Sequence, residues 1–83
     1  MKYFLFGRPY NLGMSWQLRR SVEANSHLEA LKTTEHKNEE FHLHQFETRS
    51  GILGGVSEWL ALTEEEFEEY SNEFGLRYPA SAG

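Results

Sequence analysis

The stretch Val56-Ser57-Glu58-Trp59-Leu60-Ala61-Leu62-Thr63-Glu64-Glu65-Glu66-Phe67-Glu68-Glu69-Tyr70-Ser71-Asn72-Glu73-Phe74-Gly75 carries a strand straight into a helix. Val56 to Leu62 reads as the strand. At Thr63 the pattern changes, because a Thr followed three residues later by Glu66 writes a capping box, hydroxyl to helix amide and carboxylate back to the cap amide. Phe67, Tyr70, Ser71 and Phe74 then fall at the i, i+3, i+4 and i+7 positions of one helical face. Gly75 supplies a left-handed C-cap, after which Leu76 folds back on the last turn. A strand handed to an amphipathic helix sets the fold class as α+β.

Upstream, Ser50-Gly51-Ile52-Leu53-Gly54-Gly55 reads as a hairpin connection with Ile52 and Leu53 at its tip. The strand before it runs from Phe41 to about Arg49, with Phe41 and Leu43 facing one way and His42, His44 and Phe46 the other. Either both faces are partly covered or a bulge near Gln45 switches sides. Ser26-His27-Leu28-Glu29 is a second capping box and predicts a helix from His27 to Lys37, with Leu28 and Leu31 inward and Ala30 and Thr34 beside them. From Ser15 the chain alternates, placing Trp16, Leu18, Arg20, Val22 and Ala24 on one side of a strand. Arg8 to Gly13 turns the chain. Lys2 to Gly7, apolar on both faces, predicts a strand covered on two sides.

The expected architecture is one α+β domain over residues 1–78, ordered ββαββα, with an antiparallel four-stranded sheet and two helices on one face. A ferredoxin-like βαββαβ order is the alternative, with the strand at Trp16 first and Leu76 to Tyr78 last. Residues 79–83 have nothing to bury and are expected to be a disordered tail.

Eighty-three residues build one modest core, and twelve aromatics among them place the chain on the globular side of the order boundary. The net charge of −5 is unevenly spread: residues 1–38 carry +3, residues 39–73 carry −9, and Arg77 adds one positive charge. Such an acidic surface repels nucleic acid and anionic membranes and attracts cationic protein surfaces. Every acid is Glu, and Cys is absent. That removes thiol nucleophiles, disulfides and thiolate metal sites, and with no leader or long apolar span the chain is expected in the cytoplasm.

With Phe67, Tyr70 and Phe74 inward, the helical step sends Glu65, Glu68, Glu69 and Glu73 outward. Glu65 with Glu69, and Glu69 with Glu73, are like-charge pairs that each cost about 0.2–0.5 kcal/mol. Those four glutamates are candidate partner-binding residues, against the plainer reading of a solvated face. Trp16 with Arg20 on the clearest strand, and Ile52 with Leu53 at the loop tip, are further candidates, because Trp and Arg are over-represented at binding hot spots and exposed apolar tips invite contact. Arg20 at a rim, paired with a helix Glu, and an apolar tip that plugs the core are their plainer readings.

His42 and His44 share a strand face, and Glu40 shares their parity, but no recognised ligand spacing occurs, so no metal and no cofactor are expected. GxGxxG, GxxxxGK[ST] and GxSxG are all absent, and no catalytic residues are assigned.

In general type, a small, acidic, cysteine-free α+β chain without catalytic signatures resembles the stoichiometric inhibitors made by phages and bacteria, among them anti-CRISPR proteins, nuclease-toxin immunity proteins and DNA mimics. The resemblance is one of composition. It implies a non-enzymatic protein, monomer or homodimer, that docks its Glu-rich helix on a basic, nucleic-acid-binding surface of a protein partner, with no direct nucleic-acid or membrane contact. The alternative is a structural or regulatory subunit that self-associates and has no inhibitory role.

Overall fold

In the computed structural model, which describes residues 1–36, 39–45 and 49–76, the first strand β1 (Lys2–Pro9) lies inside the sheet because both of its faces are apolar. It is followed by β2 (Gln17–Glu23), α1 (His27–Lys32), β3 (Phe41–Gln45), β4 (Ser50–Leu53), β5 (Ser57–Thr63) and α2 (Glu64–Phe74). The strands form one antiparallel sheet in the order β2-β1-β5-β4-β3. Five strands therefore stand where four were expected.

The added strand is Ser50–Leu53, the segment read as a hairpin connection. It pairs on both sides, Leu53 with Phe41 of β3 and with Ser57 of β5. The turn itself is only Gly54 to Val56, closed by the Val56 amide on the Leu53 carbonyl at 3.2 Å. Gly51 serves close approach instead: a Cβ there would stand 2.5 Å from the Phe41 ring and from the His42 carbonyl oxygen. A register shift between Leu43 and Gln45 marks the bulge in β3.

The helices lie on opposite faces of the sheet, not on one. Side chains alternate along a strand, so β1 sends Phe4 and Phe6 to one face and Tyr3 and Leu5 to the other. The first pair packs with Leu60, Leu62, Trp16, Leu76 and Phe67 of α2. The second packs with Ala61, Ala24, and Ala30 and Leu31 of α1. A strand that is apolar on both faces has to be covered twice, and the two helices do this over β1 and β5.

A bulge in β2 corrects the single-faced reading of that strand. Leu5 stands opposite Arg20, yet Phe6 stands opposite Leu18, which leaves Arg19 as the extra residue. Trp16 and Leu18 consequently face α2, whereas Val22 and Ala24 face α1.

At Thr63 the reciprocal capping box with Glu66 is complete, whereas at Ser26 only half of the expected box forms: the Ser26 hydroxyl accepts the Glu29 amide, but the Glu29 carboxylate accepts the Asn25 amide at 3.3 Å and not that of the cap residue. Gly75 ends α2 in the left-handed region at φ 68°, and the Leu76 amide reaches the Ser71 carbonyl at 2.8 Å, which buries Leu76 in the core. Helix α1 stops at Lys32, earlier than expected. The hydroxyls of Thr33 and Thr34 donate back to the Ala30 and Leu31 carbonyls at 2.6 and 2.7 Å and tighten the last turn. Ala30, Leu31 and Thr34 are buried while Leu28 is exposed. Lys37, Phe46 to Thr48, Arg77, Tyr78 and the tail over 79–83 lie outside the described residues. Leu76 itself belongs to no strand.

Candidate functional site

Helix α2 is fixed before its surface chemistry matters. Phe67 stacks on Phe6 with centroids 5.8 Å apart and meets Phe4 edge-on at 6.0 Å, so the inner stripe is anchored by aromatic contact. Tyr70 and Phe74 pack beside it, 6.2 Å apart. The opposite face then has one rotational setting, and Glu65, Glu68, Glu69 and Glu73 all stand exposed on it. Successive members Glu65, Glu69 and Glu73 are about 6 Å apart along the axis, four residues at the helical rise. Among the described residues none of the four pairs with a cation. The last turn of α2 carries no basic residue either.

Glu66, one position away, has turned inward. Its carboxylate accepts the Thr63 amide at 2.9 Å, His27 Nε2–H at 2.6 Å and Arg49 Nε–H at 2.7 Å. Burial by itself pushes this carboxyl up, but the Thr63 amide, His27 and Arg49 outweigh that and hold it at about 2, below its ordinary 4.5. The ionised carboxylate can only accept, so the proton of the contact lies on His27 Nε2. The His27 and Tyr3 rings meet in a T-shaped contact with centroids 4.9 Å apart. Local pattern announced the cap but not the partners, which lie 39 and 17 residues away.

The other sequence candidates are placed differently from the acidic row. Trp16 is buried in the core under the Arg8 guanidinium, 4.1 Å from its ring centroid. Arg8 donates to Glu58 at 2.8 Å and to the Met14 carbonyl at 3.2 Å. Arg20 stands on the other face of the sheet from Trp16 and donates to the Thr33 carbonyl at 2.9 Å, at the C-terminal end of α1, where positive charge is favoured. Ile52 is half-buried and Leu53 is buried, both in β4, so neither is an exposed loop tip. The apolar residues at a turn are instead Tyr10, Leu12 and Met14 before β2 and Val56 before β5. A readable signal marked them, since Arg8 to Val22 contains no carboxylate.

A shallow cleft beside the β4–β5 turn is lined by Glu39, Glu40, His42, Gly54 and Gly55. His42 Nε2 lies 3.9 Å from Glu40 in full contact with solvent. Among the described residues no three His, Asp or Glu side chains are placed to hold a metal ion. Among them, too, no helix is long and apolar enough to cross a membrane. No known protein family, characterised protein or solved structure matches the chain.

Proposed function

We propose that this chain is a non-enzymatic, acidic protein-binding protein of the cytoplasm, an inhibitor that lays α2 on the basic, nucleic-acid-binding surface of a protein partner. The observation that carries this reading is the exposed row Glu65, Glu68, Glu69 and Glu73, free of internal cations among the described residues and set on a helix whose rotation is locked by Phe67 and by caps at both ends. A rigid, desolvation-ready row of carboxylates steers a cationic surface into contact and pairs with it at little ordering cost. Internal neutralisation would have been easy to encode, and among the described residues the row has none. Partners of this chemistry include the nucleases and defence complexes blocked by the phage and bacterial inhibitors that the composition resembles.

The test is capture of binding proteins by tagged wild type and by a variant with Glu65, Glu68, Glu69 and Glu73 all changed to Gln. Wild type is expected to hold a basic protein that is released by rising salt and by added duplex DNA, and the folded variant is expected to lose it. Equal capture by both forms would refute the docking role of α2.

A further inference from the structure

The sheet ends in β2 on one side and β3 on the other, and the two free edges differ. On β3 the Phe41 amide is already taken by the Glu35 carboxylate at 3.1 Å, and the register shift before Gln45 breaks the ladder, so that edge is blunted. On β2 the hydrogen bonds fix which groups point outward. Met1 and Ala24 exchange both of their backbone bonds at 3.0 Å, and in an antiparallel ladder such pairs alternate with pairs that exchange none. Counted along the register, Lys2 with Glu23 and Phe4 with Ser21 are pairs that exchange none, so Ser21 and Glu23 turn their N–H and C=O groups away from β1. No described residue meets those groups. The open run stops on either side, because the Asn25 amide is held by Glu29 at 3.3 Å and the bulge at Arg19 interrupts the strand. Helix α1 does not cover it, since Ala30 and Leu31 pack on Tyr3, Leu5 and Ala61, over β1 and β5.

An edge of this kind is complementary to itself. Donors and acceptors two residues apart are matched by an antiparallel copy of the same two residues, related by a two-fold axis along the sheet normal. Setting Ser21 against Ser21 would bring the Arg19 bulge opposite Glu23. Setting Glu23 against Glu23 would oppose like charges and call on the occupied Asn25 amide. Only Ser21 against Glu23 lets every open amide of both copies reach a carbonyl. In that register Val22 meets Val22 on the axis as the closer, non-bonded pair, which carries the apolar row of Tyr3 and Val22 across the junction. On the other face the Ser21 hydroxyl of one copy stands opposite the Glu23 carboxylate of the second. A foreign peptide would have to be ordered before it could make the same bonds, whereas both edges of this pair are ordered already.

We infer that the chain forms an isologous homodimer by pairing the Ser21–Glu23 edge of β2 with the same edge of a second copy, which joins two sheets into one. The junction is far smaller than a standard interface, so the dimer is weak, with a dissociation constant on the order of 0.1–1 mM. It does not rest on the α2 docking reading, and the axis along the sheet normal leaves the acidic rows of both copies open on one side of the joined sheet.

Sedimentation across about 0.01–1 mM protein, with amide exchange read residue by residue, tests it. Wild type is expected to shift from monomer to dimer, and the Ser21 and Glu23 amides to gain protection as it does. Ser21→Pro removes an outward amide at an edge position that tolerates proline, and is expected to weaken the dimer at least about tenfold with the circular dichroism unchanged. Val22→Lys and Val22→Glu are each expected to be monomeric, because each sets like charges together on the axis, and an equimolar mixture of the two is expected to form a mixed dimer. That pair carries the test if the proline variant does not fold. The Gln variant of the four α2 glutamates is expected to dimerise as wild type does, which separates this result from the fate of the docking proposal. A monomer throughout, or a dimer that survives in folded Ser21→Pro or Val22→Lys protein, overturns the inference. Failure of the Lys and Glu forms to pair overturns the register.

Discussion

Glu66 and His27 meet at 2.6 Å although they begin helices on opposite faces of the sheet. The contact runs around the sheet end where Tyr3 pairs with Thr63, and Arg49 closes it from the segment leading into β4. One carboxylate thus caps α2, holds the start of α1 and fastens Arg49 at the entry to β4. The helix proposed to dock is thereby positioned by a residue from the same glutamate run that supplies its binding face.

Replacing Glu66 by Gln is expected to cost about 2–3 kcal/mol at neutral pH, since a carboxyl held at about 2 against an ordinary 4.5 stabilises the fold and some water contact discounts the full shift. The folded-state value is the lower one. The contribution is therefore complete above about pH 4.5 and disappears as pH falls toward 2. Urea unfolding of both proteins from pH 7 to pH 2 should show their stabilities converging over that window; a constant gap would reject the linkage.

Arg8→Ala is expected to cost about 2–3 kcal/mol, because buried Glu58 would lose the Arg8 guanidinium while Trp16 loses its cover. Near-ultraviolet circular dichroism should change with it. Glu58→Gln, which leaves the partly exposed Arg8 to water, should cost less.

Gly51→Ala is expected to destabilise by about 1–3 kcal/mol, the usual range for forcing atoms into packed space. The new methyl would overlap the Phe41 ring and the His42 carbonyl. Backbone at His42 cannot swing aside as a flexible side chain would. Amide exchange should rise in β3 and β4 first, with β1 and β5 the last to respond.

Glu69→Lys is expected to raise stability by about 0.5–1 kcal/mol, since it turns two repulsive i,i+4 pairs, with Glu65 and with Glu73, into attractive ones. Thermal unfolding measures this directly. The same substitution is expected to weaken capture of the proposed partner, so stability and binding should move in opposite directions. A gain in both would argue that the acidic row is only a solvated face.

Much of this molecule could be read locally. Thr63 and Ser26 each sit three residues before a Glu, and both caps formed because a cap is made within one helical turn. The outward setting of Glu65, Glu68, Glu69 and Glu73 followed from the period of Phe67, Tyr70 and Phe74 in the same way. The two-sided burial of β1 was legible in Tyr3-Phe4-Leu5-Phe6. The face that each helix takes is not written locally, because sequence order does not say on which face a crossing chain returns.

The sequence by itself determined the elements with a local cause: capped helices, the apolar periods, and the acidic row on α2. Tertiary structure decided the rest. The bulge at Arg19 parted Trp16 from Arg20 because one extra residue reverses every side chain beyond it. Gly51 went to a strand and not to a turn because the Phe41 ring needed its place. Glu66 found His27 and Arg49 only once the sheet had brought three distant segments to one end. Local preference acts over a few residues along the chain, whereas packing and charge act between whichever residues the fold makes neighbours.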